Sequence, residues 1–437
     1  MYIFENIEKD KIIGSKVIKQ ANKIGIEKLV INIVRNESHE INVHNNIIDL
    51  FRTTFSENIY ISGYINHKKG SISINSLALS DIEKQLVYLK SIIDSSIEDD
   101  ANEIPSFQDK KEFISGNLEF SKNEMVTRFD EFINESKRKY PVIKFENANL
   151  DYSRGYSYYL TSNGTEYLDK KGRYNVMAVF SSNYDGKYSS FNYFDFSKKD
   201  LTNPILYWEN IDKLLYENTE QIYSQSFSDK FEGSIIFSPQ AVEELISFLF
   251  GNISDLSIIS GTSIYKNSVG QKISSDILTI ESDPLSDLFA TKNYHTSDGF
   301  LTEPYTIVKN GILNGLLLSY YGSLKTKLPR AKNYGTRIIV KGKTTALDQI
   351  IKKTDKGIFL GRISGDDISS NGDFSALAKN SFLIKNGEIL FPIKETMISG
   401  NYARLLKNIS DISSEYINDG YSIYPYIKAD GATIIGR

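Results

Sequence analysis

From about Ile205 onward, short apolar runs are punctuated by turns, some of them built on Asn-Gly, and strands dominate the stretch. Val308-Lys309-Asn310-Gly311-Ile312-Leu313 and Phe382-Leu383-Ile384-Lys385-Asn386-Gly387-Glu388-Ile389 are both hairpin patterns. Asn-Gly between the runs supplies the positive-φ positions that a two-residue hairpin loop requires. Asn371-Gly372-Asp373 is a third turn of this kind. Helical spacing interrupts the β-rich region near Glu209–Glu220, Pro239–Phe250 and Tyr402–Ile409.

The start of the chain reads differently. Ile12, Ile13, Val17, Ile18, Ala21 and Ile24 fall near helical spacing, and Gly25 suits the end of that helix. Strand-like segments follow at Leu29–Val34, His39–Val43, Leu50–Phe55, Asn58–Asn66 and Ser71–Asn75. Ser80-Asp81-Ile82-Glu83 has the form of a capping box, ahead of a stripe of Ile82, Leu86, Leu89, Ile92 and Ile93. The order is helix, antiparallel strands, helix. The acidic stretch Asp99–Gln108, with Pro105, reads as a connection, and Phe113–Tyr140 as a further helix. Phe145–Phe196 is Tyr-rich and β-like, with turns at Ser162-Asn163-Gly164 and Tyr184-Asp185-Gly186. The expected architecture is α+β: an N-terminal α+β domain over residues 1–108, a helical connection and β middle region over 109–204, and a large β-rich C-terminal domain over 205–437.

Composition narrows the function classes. Net charge is −4 over 437 residues, so there is no electrostatic case for binding nucleic acid. Lys137-Arg138-Lys139 and Lys170-Lys171 sit among acids and read as solvated faces. There is no cysteine, which removes disulfides, thiolate metal sites and Cys nucleophiles. No apolar run approaches the roughly 20 residues of a membrane span. The start, Met1-Tyr2-Ile3-Phe4-Glu5-Asn6, lacks the features of a signal peptide, so a cytoplasmic location is expected. No nucleophile elbow, phosphate loop or dinucleotide fingerprint occurs. The histidines are His39, His44, His67 and His295. His39 and His44 fall on opposite faces of a strand and read as polar edge-strand residues, and His295 reads as a turn residue. Asp366, Asp367 and Asp373 could bind a cation or act as an acid/base pair, or could simply accept loop amides; the second reading is the simpler.

In order and spacing, Asn371-Gly372-Asp373-Phe374-Ser375, the Lys385–Glu388 hairpin and Ile398-Ser399-Gly400-Asn401 resemble the C-terminal signature of the TldD/PmbA family, peptide-processing proteins first described as modulators of DNA gyrase. Ser297-Asp298-Gly299-Phe300-Leu301-Thr302 resembles that family's Asp-x-Glu-Gly segment, and Leu316–Tyr321 its next strand. The family holds a zinc-bearing subunit, TldD, and a zinc-less partner, PmbA or TldE. In TldD-type proteins a helix carries His-Glu-x-x-x-His, two imidazoles for zinc and a general base. Here the matching helix opens Ser238-Pro239-Gln240-Ala241-Val242, so Pro239 and Glu244 stand at the two His positions and Gln240 at the Glu. Asn371 stands where the family often has Thr, Ala376-Leu377-Ala378 where a basic-glycine pair is common, and no Cys is present to complete a TldD-type site.

The resemblance therefore implies a non-catalytic, zinc-less subunit of a heterodimeric metallopeptidase. Zinc is expected in the TldD-like partner and no cofactor in this chain. The heterodimer would enclose a chamber that degrades or matures unfolded peptides, with neither nucleic acid nor membrane as partner. Asp298, Gly299, Asn371, Gly372, Asp373, Phe374, Ser375, Gly400 and Asn401 are the candidate partner or substrate surface. A self-associating scaffold without a peptidase partner and an independent carboxylate-dependent hydrolase are the alternatives.

Overall fold

A computed structural model describes residues 2–44, 47–342 and 344–436. The architecture is α+β, as the element order predicts, and it is built on two sheets. The first contains β1 (Lys28–His44), β2 (Ile47–Ile65), β3 (Lys68–Ile74), β4 (Lys111–Gly116), β5 (Ile143–Thr161), β6 (Glu166–Tyr184), β7 (Lys187–Tyr188) and β8 (Asn192–Lys198). Its order is β3-β2-β1-β5-β6-β4, with β7 and β8 also on β6. Strands from both the 1–108 and the 109–204 stretches enter it. β1 pairs antiparallel with β5 from Val30↔Thr161 to His44↔Asn147.

These strands are longer than the sequence segments suggest, because polar residues lie on the buried face in mid-strand. Burial alternates without a break along β1. Leu29, Ile31 and Ile33 pack under α1 (Ile7–Lys23) and α2 (Leu79–Ser95). Ile41 and Val43 pack under α3 (Lys122–Lys139) and α4 (Ile211–Glu220). Between the two apolar clusters the same face carries Arg35, Glu37 and His39, all buried. Arg35 donates to Asp10 of α1 at 2.7 and 2.9 Å, and Tyr156 donates to Asp10 at 2.6 Å. Glu37 accepts from Arg154 at 3.0 Å and contacts His39 Nε2 at 2.7 Å. The pairing satisfies charges that would otherwise be costly to bury.

Around the first sheet, three local expectations are corrected. His39 lies in the centre of the sheet, between β2 and β5, with Phe120 stacked 3.7 Å from its ring. The capping box does not form: α2 begins one residue before Ser80, behind Ala78, and Glu83 instead accepts from Gln20 of α1. The helix expected over Phe113–Tyr140 starts only at Lys122, capped by Ser121, because residues 111–116 form β4, parallel to β6.

The second sheet is built from β9 (Lys230–Phe237), β10 (Leu278–Ser282), β11 (Tyr305–Lys309), β12 (Ile312–Leu313), β13 (Ile338–Gly342), β14 (Thr344–Thr345) and β15 (Lys356–Leu360). It continues with β16 (Arg362–Ile368), β17 (Asp373–Lys379), β18 (Ser381–Lys385), β19 (Glu388–Ile393), β20 (Thr396–Asn401), β21 (Ile409–Asn418) and β22 (Ser422–Ile435). Asn310-Gly311 and Asn386-Gly387 take positive φ at both positions and close the hairpins predicted for them. α5 (Pro239–Ile253) buries Val242, Leu245, Ile246 and Leu249 against this sheet. Shorter helices follow: α6 (Asp255–Ser260), α7 (Tyr320–Thr326), α8 (Leu347–Lys352) and α9 (Tyr402–Lys407). Leu316–Tyr321, expected as a strand, runs without one into α7; Leu317 instead donates to Ile253 at the end of α5. No helix among the described residues is long and apolar enough to cross a membrane.

Candidate functional site

The N-terminus of α5 is fixed by its own sequence. Ser238 Oγ accepts from the Ala241 amide at 3.2 Å and donates to the Gly361 carbonyl at 2.6 Å. Pro239 occupies the first helical turn, where its missing N–H costs nothing. This end of α5 opens on a cavity of about 400 Å³. β8 and α4, from the side of the first sheet, face α5, β15 and the β21–β22 turn across it. Of the three positions matching the His-Glu-x-x-x-His pattern, Pro239 and Gln240 line the cavity and Glu244 does not; Glu243 lines it instead.

The cavity is acidic and walled by aromatic rings. Glu217, Glu243, Asp195 and Asp419 line it, with Phe359, Tyr424 and Tyr426 among the rings. Asp419 accepts from the amides of Tyr421 and Ser422 at 2.6 Å each. Burial nevertheless pushes its carboxyl up to about 6, and the charges of Glu243 and Asp195 add to that push. Glu243 keeps surface open to the cavity, yet it lies deep enough in the protein that burial raises it as well. Glu217 is held up by burial against the opposing attraction of Lys213, whose ammonium is 3.6 Å away. Lys213 also donates to Tyr426 Oη at 3.2 Å. A carboxyl raised to about 6, as that of Asp419 is, can hold and release a proton near neutral pH, which is the property required of a general acid or base.

The signature residues assemble elsewhere. The Ser369–Asp373 turn places Gly372 at φ +95°, with a Gly372 amide bond to the Ser369 carbonyl. Gly372 sits against Phe248, nine residues along α5 from Pro239, or roughly 13 Å at the helical rise. Asp373 accepts from the side-chain amides of Asn401 and Asn371, at 2.9 Å each, which hold its carboxyl below the ordinary range. The backbone acceptor role expected for Asp373 falls to Asn371, which takes the Asp373 amide. Asn401 also caps α9 through the Arg404 amide, and Phe374 stacks on Tyr402 at 4.3 Å, with Gly400 alongside. Ser375 pairs with Ser399 in the β17–β20 ladder. The signature thus ties β17, β20 and α9 to the C-terminal half of α5. The side chains of Asp366 and Asp367 lie outside the described residues.

Asp298 and Gly299 form a second, separate group that meets the first sheet. Asp298 accepts from the Tyr320 amide at 2.7 Å, and Tyr167 donates to the Gly299 carbonyl at 3.1 Å. A Cβ on Gly299 would lie 2.3 Å from Tyr159 Oη. His295 packs against Tyr159 and Tyr167, and burial lowers its pKa. Asp195, Glu217 and Asp419 escape sequence reading, because no spacing joins residues that far apart in the chain.

Residues 231–436 match the profile of the PmbA/TldA metallopeptidase C-terminal domain. A metalloprotease PmbA homologue of Buchnera aphidicola is 25% identical over 94% of this chain and 92% of its own length. Metalloprotease PmbA of Escherichia coli O157:H7 is 30% identical over 45% of each chain. A zinc metalloprotease TldD homologue of Saccharolobus solfataricus is 25% identical over 42% of this chain and 44% of its own. Among solved structures, TldE of Thermococcus kodakarensis superimposes with a TM-score of 0.84 at 20% identity, over 97% of this chain and all of that one. A Bacteroides thetaiotaomicron protein described as a candidate modulator of DNA gyrase gives 0.87 at 19% identity, over 99% and 100%. These two likenesses carry the fold alone.

The residues at the head of α5 do not fit a zinc ion of the kind named in such relatives. Catalytic zinc takes imidazole, thiolate and carboxylate donors in a tetrahedral set. Pro239 offers no donor and Gln240 a weak one. Burial raises the carboxyls of Glu243 and Asp419, which disfavours the ionised form a metal needs, and Lys213 already engages Glu217. The imidazoles of His39 and His295 are packed under rings elsewhere. Among the described residues, no three His, Cys, Asp or Glu side chains converge to hold a metal.

Proposed function

We propose that this chain, a metallopeptidase-like protein whose residues 231–436 are a C-terminal domain of the TldD/PmbA family, is the zinc-less subunit of a TldD/TldE-type heterodimer. The observation that carries this reading is the filling of the α5 motif: Pro239, Gln240 and Glu244 where a zinc-bearing subunit needs His, Glu and His. The fold of the metallopeptidase is kept and its metal chemistry is not. A subunit of this kind contributes wall, steric gate and interface to a chamber in which a TldD-like partner holds the zinc. Unfolded or precursor peptides would be the substrate, and the cytoplasm the setting.

The test is to purify the chain from its own cells without chelator. A zinc-containing homologue should come down with it, and the chain freed of that homologue should carry no stoichiometric zinc. Casein-like peptides should be cut by the mixture and not by the isolated chain. One tightly held zinc per chain would overturn the assignment. A second reading is favoured by the raised Asp419 beside Glu243: an independent carboxylate-dependent hydrolase. Cleavage by the isolated chain, lost in Asp419→Asn, would select it.

A further inference from the structure

The outer edge of β2 is only partly covered. β3 pairs with it from Ile59 to Ile65, and no strand among the described residues pairs on that side from Ile47 to Asn58. The ladder identifies which backbone groups are left open. The Glu27 amide, at the start of β1, donates to the Tyr64 carbonyl at 3.1 Å, so Tyr64 directs its backbone groups toward β1. Successive residues of a strand direct these groups to alternate sides. The β1–β2 register runs without a shift from Leu50 to Tyr64. Even-numbered residues of β2 therefore face β1, and odd-numbered residues face outward. Ile59, Ile61, Gly63 and Ile65 meet β3. Phe51, Thr53, Phe55 and Glu57 each turn an N–H and a C=O outward with no strand to receive them.

This edge has little defence beyond Glu57, whose inward charge is paired with Arg35, and Lys122, whose ammonium lies 4.1 Å over the Phe51 ring. Edge strands are blunted by proline, by inward charges, by bulges or by a covering element. Residues 51–57 contain no proline, the one register shift lies beyond Leu50, and Phe55 is 67% exposed. Two clefts adjoin the edge on the helix side. One, of about 250 Å³, is lined by Ile3, Asn6, Phe55 and Glu57. The other, of about 700 Å³, runs between Ile12, Ile13 and Lys16 of α1 and the Ser76–Leu79 link, and reaches Glu57. The opposite face of the edge is polar, with Arg52, Thr54 and Ser56.

We propose that the Phe51–Glu57 edge of β2 accepts an extended peptide as an added strand, in line with β3. Its apolar side chains enter the clefts beside Phe55 and its alternate, polar side chains lie over Arg52, Thr54 and Ser56. Main-chain bonds supply affinity and the alternating pockets supply preference, as in other strand-addition sites. The open track is seven residues, or about 23 Å. The smaller cleft, beside Phe55, is of side-chain size, which favours one extended chain over the flat edge of another sheet. As a place that would hold unfolded substrate, the edge rests on the function proposed above; as a peptide site, it stands on its own geometry.

The test uses the full chain without a partner subunit. A fluorescent, end-blocked heptapeptide of alternating valine and threonine is titrated and followed by anisotropy, with light scattering on the same samples. The expected result is saturable binding to a monomer. N-methylation of the peptide's alternate amides, in the register that faces the edge, should weaken it about tenfold or more, as loss of backbone hydrogen bonds requires. Phe55→Pro removes one outward N–H and leaves the β1 ladder intact, so it should weaken binding similarly. Leu256→Ser, an exposed position on α6 away from this edge, should stay within about twofold. Absence of binding, or equal affinity for the N-methylated peptide, would overturn the proposal. A β2-mediated dimer dispersed by Phe55→Pro would give the edge to a second copy instead. Because cleavage is not the readout, failure here leaves the subunit assignment standing, and zinc found in the chain would leave a positive peptide result standing.

Discussion

Replacing Asp419 with asparagine should stabilise this protein at neutral and alkaline pH, and the gain should vanish in acid. The carboxyl sits in the α5 cavity with its ordinary value of 3.8 pushed up to about 6, by burial first and then by Glu243 and Asp195. The folded state therefore holds this proton more tightly than the unfolded state does. Below about pH 4 both states are protonated and the group contributes nothing. Between about 4 and 6 unfolding releases a proton, so stability falls as pH rises, and above about 6 the deficit is constant. A rise from 3.8 to about 6, at roughly 1.4 kcal/mol for each tenfold change in proton affinity, sets that deficit at about 3 kcal/mol. Water in the cavity reduces it to about 1.5–3 kcal/mol. Asn keeps the shape and an Oδ1 that can still accept from the Tyr421 and Ser422 amides. The assay is thermal unfolding of wild type and Asp419→Asn at pH 8 and pH 4. For a unit of about 200 residues, each kcal/mol is worth roughly 2–4 °C, so the variant should melt several degrees higher at pH 8. At pH 4 the difference should shrink to about 0.5 kcal/mol. A variant that melts at or below wild type at pH 8, or with the same difference at both pH values, would refute the electrostatic account of the cavity.

Two further outcomes follow from the packing. Gly372→Val should cost about 2–4 kcal/mol, because φ is +95° and a new Cβ would lie 2.8 Å from Phe248; unchanged denaturant midpoints would show the signature turn to be an ordinary exposed loop. Arg35→Met should cost about 3–5 kcal/mol by leaving the fully buried Asp10 without its cation, and Asp10→Leu in the same chain should recover most of that loss in equilibrium unfolding.

Much of the fold is local in origin and so can be read directly from the sequence. Asn310-Gly311 and Asn386-Gly387 specify their hairpins through backbone conformation alone. Ser238-Pro239 specifies where α5 begins, and its apolar stripe specifies the face that is buried. The family signature is also local, and it points to the right fold. Sequence gives no warning that β1 and β2 are single long strands, because Arg35, Glu37 and His39 interrupt the apolar alternation. They are buried only because Asp10 and Arg154, distant in sequence, arrive to pair with them. β4 is hidden for a similar reason: its parallel pairing with β6 joins residues as far apart as Lys111 and Tyr167.

What the sequence determined by itself is which side chains are available: no thiol anywhere, no histidine on α5, and Pro239 and Gln240 at its start. Side-chain identity decides such questions before any folding occurs. What only the tertiary structure decided is where the remaining groups meet. Gly372 of the signature turn braces Phe248, toward the far end of α5 from Pro239. Asp195, Glu217, Glu243 and Asp419, from four separate elements, converge on the cavity at its head. Convergence of this kind is a property of strand order and sheet-to-sheet packing, and the proton affinity of Asp419 is set by the burial and neighbouring charges that this packing creates.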